Sequence, residues 1–170
     1  MNTAASAPAG PVPALTIRAA VEADVPLLLQ FIRDLAEYEK LAHEVVADEN
    51  RLRQSLFGSH ASAEALLGFA GTEPAAFAVF FHNFSTFLGK PGLYLEDLFV
   101  RPAFRRRGYG RAMLVHLARE ANRRGCGRFE WAVLDWNRPA IEFYEQLGAR
   151  VLPDWRVCRL TGEALARFGR

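Results

Sequence analysis

A basic turn that contains two glycines constrains the fold of this chain more than any other segment. The turn, Arg105-Arg-Arg-Gly-Tyr-Gly110, follows an apolar strand pattern ending at Val100 and leads into a helix pattern that begins near Tyr109. A helix start presents free backbone N–H groups and partial positive charge, so it attracts anions. The two glycines allow a phosphate to approach those amides, and the arginines add charge. The segment predicts a diphosphate-binding turn, with a solvated turn before an ordinary helix as the alternative.

Other anion-binding motifs fit this turn less well. A Walker loop ends in Gly-Lys-Ser/Thr, whereas the chain continues Gly110-Arg-Ala112. A dinucleotide fingerprint needs a third glycine where Met113 stands. Three arginines without interleaved aromatic residues are weak evidence for a nucleic-acid surface. A net charge of +2 argues for neither nucleic acid nor an anionic membrane.

The remaining sequence predicts a flexible tail at residues 1–13 and one folded domain at 14–170, because Ala, Ser, Gly and Pro dominate the tail. Helix patterns run from about Val25 to Ala36, Asp48 to Phe57, Tyr109 to Gly125 and Asn137 to Gly148. Strand patterns cover Ala14–Arg18, Glu64–Ala70, Ala75–Phe81, Leu93–Val100 and Arg128–Asp135, with a final pair at Ala149–Leu152 and Trp155–Leu160. His82–Gly92 is predicted to be a loop. This order predicts a mixed α/β sheet flanked by helices.

Composition excludes several classes of protein. No apolar run approaches the roughly 20 residues that span a bilayer, and the N-terminus lacks the features of a secretory signal. Cys126 and Cys158 are too few for a disulfide framework, and their spacing matches no zinc site. The four histidines are scattered. We therefore expect a cytoplasmic protein without a metal.

Several segments together resemble a known superfamily. The pattern Arg105-x-x-Gly108-x-Gly110 is similar to the coenzyme A signature of the GNAT acetyltransferases. The strand Leu93-Tyr-Leu-Glu-Asp-Leu-Phe-Val100, the helix Trp136-Asn-x-Pro-x-Ile-x-Phe-Tyr144 and the segment Leu35-Ala-Glu-Tyr-Glu39 resemble its diamine and thialysine N-acetyltransferase branch. The resemblance spans about residues 15–160. It implies an α/β (α+β) domain with a mixed, mostly antiparallel sheet and a central splayed strand pair that binds coenzyme A.

The resemblance also implies the chemistry and the partners. An amine of a small molecule attacks the thioester of acetyl-CoA directly, without a metal, and the enzyme is a homodimer. Backbone amides of the turn hold the diphosphate, and the strand at 98–100 pairs with the pantetheine arm while one of its amides polarises the thioester carbonyl. The expected cofactor-binding residues are Leu98, Phe99, Val100, Arg105, Arg106, Arg107, Gly108, Tyr109, Gly110, Arg111, Asn137 and Tyr144.

Two carboxylates interrupt the strand that ends at Val100. Strand alternation points Glu96 and Asp97 to opposite faces, so at least one faces a covered surface, where a carboxylate is costly unless it is paired or used. An arginine partner or a position at a sheet edge would satisfy them structurally. An alkyl ammonium, with a pKa near about 10, must lose a proton before it attacks. By resemblance Glu96 is the catalytic base, acting through water, and Asp97 holds the positive charge of the substrate.

Tyr144 is the second catalytic candidate. It follows Asn137 by seven residues, about two helical turns, so both lie on one helix face. Asn137 is expected to cap the helix and contact the coenzyme arm. By resemblance Tyr144 protonates the leaving thiolate. From its position alone, Tyr144 would be a half-buried aromatic residue packing beside Phe143.

The acceptor pocket is the least constrained part of the sequence. Phe84, Ser85 and Thr86 are candidate substrate-binding residues, with a plain connecting loop as the alternative. Glu37 and its neighbour Glu39 could attract a cationic substrate, although exposed helix faces commonly carry such residues. A protein acetyltransferase, a non-catalytic acetyl-CoA sensor and a nucleic-acid binder remain open as other functions.

Overall fold

The computed structural model describes residues 13–169, and its centre is a five-stranded sheet. The strands lie side by side in chain order: β1 (Leu15–Ala19), β2 (Glu64–Ala70), β3 (Glu73–Ser85), β4 (Lys90–Val100) and β5 (Arg128–Trp131). The first three pairings are antiparallel, whereas β5 runs parallel to β4. The predicted fold class, a mixed and mostly antiparallel α/β sheet, is confirmed. The predicted tail lies almost wholly outside the described residues.

Five α-helices accompany the sheet within the described residues: α1 (Val25–Tyr38), α2 (Glu49–Phe57), α3 (Tyr109–Arg123), α4 (Arg138–Gln146) and α5 (Gly162–Ala166). Asp48 caps α2 through its side chain, which accepts a hydrogen bond of 2.8 Å from Arg51 N. Asp24 precedes α1 but does not cap it through its carboxylate. That carboxylate instead binds the guanidinium of Arg18 and the backbone N–H of Val21.

The described chain divides into two units between Ala132 and Val133. The first contains the whole sheet and helices α1 to α3. The second contains α4 and α5.

In the first unit, α1 and α3 pack on opposite faces of the sheet. Leu28 and Phe31 of α1 belong to a buried apolar cluster with Phe99 of β4. The next residue, Val100, packs beside Tyr109 at the start of α3. Because consecutive residues of a strand face opposite sides, these contacts place one helix above the sheet and the other below it.

The structure corrects three sequence predictions. His82–Gly92 is not a loop: β3 continues to Ser85 and β4 starts at Lys90, because the two strands pair along their whole length in one long hairpin. The strand predicted at Arg128–Asp135 ends at Trp131, where its pairing with β4 stops. The predicted pair at 149–152 and 155–160 is absent, and the short helix α5, which was not predicted, follows that segment.

A glycine allows the three neighbouring strands β3, β4 and β5 to approach closely. Gly92 of β4 lies between its partners Asn83 of β3 and Arg128 of β5. A Cβ at this position would collide with Asn83 Oδ1 and lie 3.0 Å from Arg128 Cγ. Asn83 cannot easily move away, because its amide donates a hydrogen bond of 2.9 Å to Glu130 of β5.

We therefore expect Gly92→Ala to destabilise the fold by about 1–3 kcal/mol, as other overpacked sites do. Chemical denaturation measures the loss. In the Asn83→Ala/Gly92→Ala double variant the collision is gone, so the combined loss should be smaller than the sum of the single losses. Unchanged stability of Gly92→Ala would contradict this account of the strand packing.

Candidate active site

A bulge in β4 lies at the first acidic residue. Phe80 of β3 pairs with Leu95, but the next pair joins Val79 to Asp97, so Glu96 has no partner across the antiparallel ladder. A bulge changes the direction of the side chains around it. Glu96 is exposed here and Asp97 is largely covered. The two acidic residues thus lie in different environments, as strand alternation predicted.

The same strand is paired on only one side beyond the bulge. β5 pairs with Gly92 to Leu95 and then ends at Trp131. Among residues 13–169, no strand pairs with this edge of β4 from Glu96 to Val100. The parallel pair β4–β5 therefore opens at the bulge and leaves a strand edge able to bond an extended ligand.

Asp97 has an unusual acidity. Burial, together with the neighbouring charges of Glu96 and Glu39, raises its pKa to about 6. Glu39 directly follows α1, and burial also raises its pKa. Two glutamates, one on β4 and one directly after α1, thus act on Asp97 at the open end of β4. The cluster has the sign and the depth to accept a cation.

The structure distinguishes the two glutamates at the end of α1. Glu37 is exposed and is not among the charges that raise the pKa of Asp97. Glu39 is half-buried and is among them. Both glutamates were considered from the sequence, but Glu37 was the predicted substrate-binding residue. The signal that favours Glu39 is its position directly after Tyr38, whose ring contacts Phe99 of β4.

Aromatic and cationic side chains connect the end of α1 to β4. The rings of Tyr38 and Phe99 lie 6.1 Å apart. The guanidinium of Arg105 lies 4.4 Å from the centre of the Tyr38 ring and 5.3 Å from that of Phe99. Its Nε donates a hydrogen bond of 3.0 Å to the carbonyl of Val100. Arg105 is exposed, but its side chain lies against the end of α1 and the end of β4.

The turn between β4 and α3 has the geometry of an anion site. Gly108, the N-cap residue of α3, has a φ of 79°, and no side chain caps the helix there. Arg106 also has a left-handed backbone, with a φ of 59°. The first backbone N–H groups of α3 have no intrahelical partner, and a Cβ built on Gly108 meets nothing within 4 Å. The turn therefore offers free donors that a diphosphate would satisfy.

The side chains of the turn point in different directions. Arg106 and Arg111 are exposed, and the Arg107 guanidinium lies 5.5 Å from the centre of the Phe104 ring. Tyr109 is buried, and its hydroxyl donates a hydrogen bond of 2.7 Å to the carbonyl of Pro13. At Tyr109, as at Gly108 and Gly110, only backbone groups are available to a ligand.

Three predicted substrate residues lie away from the acidic cluster. Phe84, Ser85 and Thr86 are at the tip of the β3–β4 hairpin, where Ser85 pairs with Lys90. At about 3.3 Å per residue, the six residues from Lys90 to Glu96 put this tip roughly 20 Å away along the strand. Ser85 is buried and its Oγ accepts a hydrogen bond from Leu88 N, so it stabilises the turn of the hairpin. One chain does not bring these residues to the acidic cluster.

Asn137 and Tyr144 belong to the second unit. Asn137 precedes α4, and its carbonyl accepts backbone hydrogen bonds from Ala140 and Ile141. Its side chain does not make the expected capping bond. Tyr144 lies on α4 with its ring centre 5.4 Å from that of Phe143.

The described residues contain no group of three or more His, Cys, Asp or Glu side chains placed to hold a metal ion. Likewise, none of the helices between residues 13 and 169 has the length and apolar character needed to cross a membrane.

The same fold occurs among solved acetyltransferases. An aminoglycoside acetyltransferase from an uncultured soil sample superimposes with a TM-score of 0.73 over 86% of this chain and 97% of its own, at 17% identity. At that identity the likeness shows the fold alone. The class defined by this architecture is the acetyltransferase fold.

The chain belongs to the acetyltransferase (GNAT) family, whose model matches residues 29–149. It is 36% identical to the L-ornithine N5-acetyltransferase of Arabidopsis thaliana over 88% of this chain and 85% of the relative. It is 38% identical to the thialysine N-epsilon-acetyltransferase of Sus scrofa over 88% of this chain and 94% of the relative. The resemblance stated from the sequence is confirmed.

The raised pKa of Asp97 predicts a pH-dependent effect on stability. A carboxyl group whose pKa is higher in the folded than in the unfolded state costs stability once both states are ionised, and the cost develops between about pH 4 and pH 6. We expect Asp97→Asn to raise the Tm at about pH 7.5 and to lose this advantage near pH 4, where the native carboxyl is protonated. Thermal unfolding across this range measures the difference.

Asp34→Asn is the matched control, because it removes a carboxylate that pairs with Arg101 at 2.9 Å and should lower the Tm at neutral pH. An Asp97→Asn variant with the same change in Tm at both pH values would show that the carboxylate is not held at a cost.

Proposed function

We propose that this protein is an acetyl-CoA-dependent N-acetyltransferase that acetylates a primary amine of a small molecule carrying a second positive charge. The observation that carries the proposal is the cluster of Asp97, Glu96 and Glu39 at the open, bulged edge of β4. Its members Glu96 and Asp97 lie on the strand that leads, through Val100, to the turn before α3.

The residues of the turn and of β4 suit coenzyme A. The backbone donors at the start of α3 would hold the diphosphate, with Arg106, Arg107 and Arg111 adding charge around them. The free edge of β4 at Leu98, Phe99 and Val100 would bond the amides of the pantetheine arm as a neighbouring strand does. The bound coenzyme supplies an activated acetyl thioester, which a main-chain N–H near the bulge would polarise.

The acidic cluster suits a dibasic acceptor. A single carboxylate would balance one ammonium group, whereas three carboxylates within electrostatic range can balance two. The curated relatives are named for ornithine and thialysine, both of which carry two amino groups. We infer that the acceptor is a diamine, a polyamine or a thialysine-like amino acid.

The proposed reaction uses one residue to hold the acceptor and two to transfer protons. Asp97 holds the ammonium form of the acceptor, and Glu96, exposed beside it, takes a proton from the reacting nitrogen through water. The neutral nitrogen then forms a bond to the acetyl carbon, the carbon–sulfur bond breaks, and the nitrogen releases its second proton to solvent. Tyr144 delivers a proton to the departing thiolate and regains one from solvent, and Asn137 contacts the coenzyme arm.

We also propose a cytoplasmic homodimer. The second unit exposes large apolar side chains that a partner copy could cover, among them Trp155, Val157 and Phe168. The cysteines of the described chain, Cys126 and Cys158, are not joined in a disulfide, as is usual in a reducing compartment.

An amine panel with acetyl-CoA tests the proposed function through release of free thiol. We expect spermidine, 1,3-diaminopropane, ornithine and thialysine to react with kcat/KM values at least roughly tenfold above that of butylamine, which has one charge. Acetylation of a lysine peptide but of none of these amines would favour a protein acetyltransferase. Coenzyme binding without thiol release would favour a sensor, and either result overturns the proposal.

The role of Glu96 predicts a pH-dependent loss of activity. We expect Glu96→Gln to lower kcat at about pH 7 and to recover part of the loss near pH 9, where more acceptor is already deprotonated. A pH–rate profile on the best amine of the panel measures it. Glu73→Gln, an exposed carboxylate in the β2–β3 hairpin, is the control. A profile of the Glu96 variant with the native shape would remove this residue from proton transfer.

A further inference from the structure

The side chain of Arg105 is separated from the rest of the basic turn by its contacts. Its guanidinium lies against the rings of Tyr38 and Phe99, and its Nε is bonded to the Val100 carbonyl. Arg105, Arg106 and Arg107 are all exposed, and Arg107 lies against Phe104 within the turn. Arg105 therefore contacts the end of α1 and the end of β4, whereas Arg107 contacts a residue of the turn itself.

The end of α1 needs such a contact. The helix stops after Tyr38 in a tight turn, where Lys40 N–H bonds to Glu37 O and Leu41 N–H bonds to Ala36 O. Lys40 has a φ of 63°, a left-handed conformation in which glycine is preferred because other residues have a Cβ penalty. The turn that carries Glu39 is thus not favoured by its own sequence, and contacts from elsewhere must hold it.

A second arginine shows how α1 is fixed one turn earlier. Arg101, four residues before Arg105, pairs with Asp34 at 2.9 Å and lies 4.2 Å from the centre of the Phe31 ring. Asp34 is four residues before Tyr38, so the two arginines meet the same face of α1 at successive turns. Arg101 fixes the body of the helix, and Arg105 contacts its last residue.

Arg105 is not among the groups that shift the pKa of Asp97. The causes of that shift are burial and the charges of Glu96 and Glu39. The contacts of Arg105 with Tyr38 and β4 therefore point to an effect on the acceptor site through geometry. They set how far Glu39, which directly follows Tyr38, lies from β4.

We propose that Arg105 is a positioning residue that clamps the C-terminal end of α1 to β4, fixes the spacing between Glu39 and Asp97, and so determines binding of the amine rather than of the coenzyme diphosphate. The proposal rests on the proposed function for its kinetic consequence. Its structural consequence, an ordered α1 terminus, does not depend on any activity.

The test compares Arg105→Gln, Tyr38→Leu and their double variant with Arg106→Gln and Arg107→Gln as matched controls. We expect Arg105→Gln and Tyr38→Leu each to raise the KM of the best diamine roughly tenfold, with less than about a twofold change in the Kd of coenzyme A measured by calorimetry. The double variant should have about the same KM as the more impaired single variant, because both changes remove the same contact between Arg105 and Tyr38. Arg105→Lys keeps the charge but lacks the planar group, so its KM for the diamine should lie between those of the native protein and of Arg105→Gln.

The controls should behave in the opposite way. Arg106→Gln and Arg107→Gln should weaken coenzyme binding in a salt-dependent manner and leave the KM of the diamine unchanged. Hydrogen exchange provides the activity-independent measurement: the amides of Lys40 and Leu41 should exchange faster in Arg105→Gln, whether or not any amine reacts.

Two results would overturn the proposal. One is an Arg105→Gln variant that loses coenzyme affinity as the controls do. The other is unchanged exchange at residues 40 and 41. A protein that acetylates none of the amines, yet shows the faster exchange, would refute the proposed function and leave the clamp intact.

Discussion

The half-open edge of β4 is the constraint on which the candidate site depends. A strand in the middle of a sheet normally has both edges satisfied by neighbours, and its side chains then alternate between two packed faces. Here β5 ends at Trp131, and the bulge at Glu96 follows directly after the last paired residue, Leu95. The end of the pairing at Leu95 therefore decides where main-chain groups of β4 become available to a ligand. It also marks where the two acidic side chains, Glu96 and Asp97, enter an exposed and a covered environment.

Contacts made by two arginines hold α1 against the end of β4 where its edge is open. Arg101 and Arg105 follow β4 and contact successive turns of α1. These contacts fix the helix that precedes Glu39 relative to the strand that carries Asp97. On the other face of the sheet, the buried Tyr109 fixes the start of α3 through Val100 and Pro13. The short segment after β4, residues 101–109, thus contacts both the helix before Glu39 and the start of α3. This explains why the sequence motif of that segment was the most useful one for predicting the fold.

The sequence predicted the features that are encoded locally. The turn at 105–110, the helix after it and the acidic pair are contiguous patterns, and the structure contains each of them. Features set by pairing were missed: the length of the β3–β4 hairpin depends on cross-strand partners such as Asn83 and Gly92, and the early end of β5 depends on its register with β4. The contact of Arg105 with Tyr38 was also missed, because the two residues are distant in sequence.

The acidic cluster links stability to selectivity. Asp97 remains largely covered among like charges, an arrangement that folding alone would not favour. A bound cation removes part of that cost, so the free energy released on binding grows with the number of charges the ligand brings within reach of the carboxylates. The distance between Glu39 and Asp97 then matters as much as their charge, because a second ammonium must reach one carboxylate while the first is held by the other. Under the proposed function, selectivity among amines therefore depends on how the end of α1 is attached to β4.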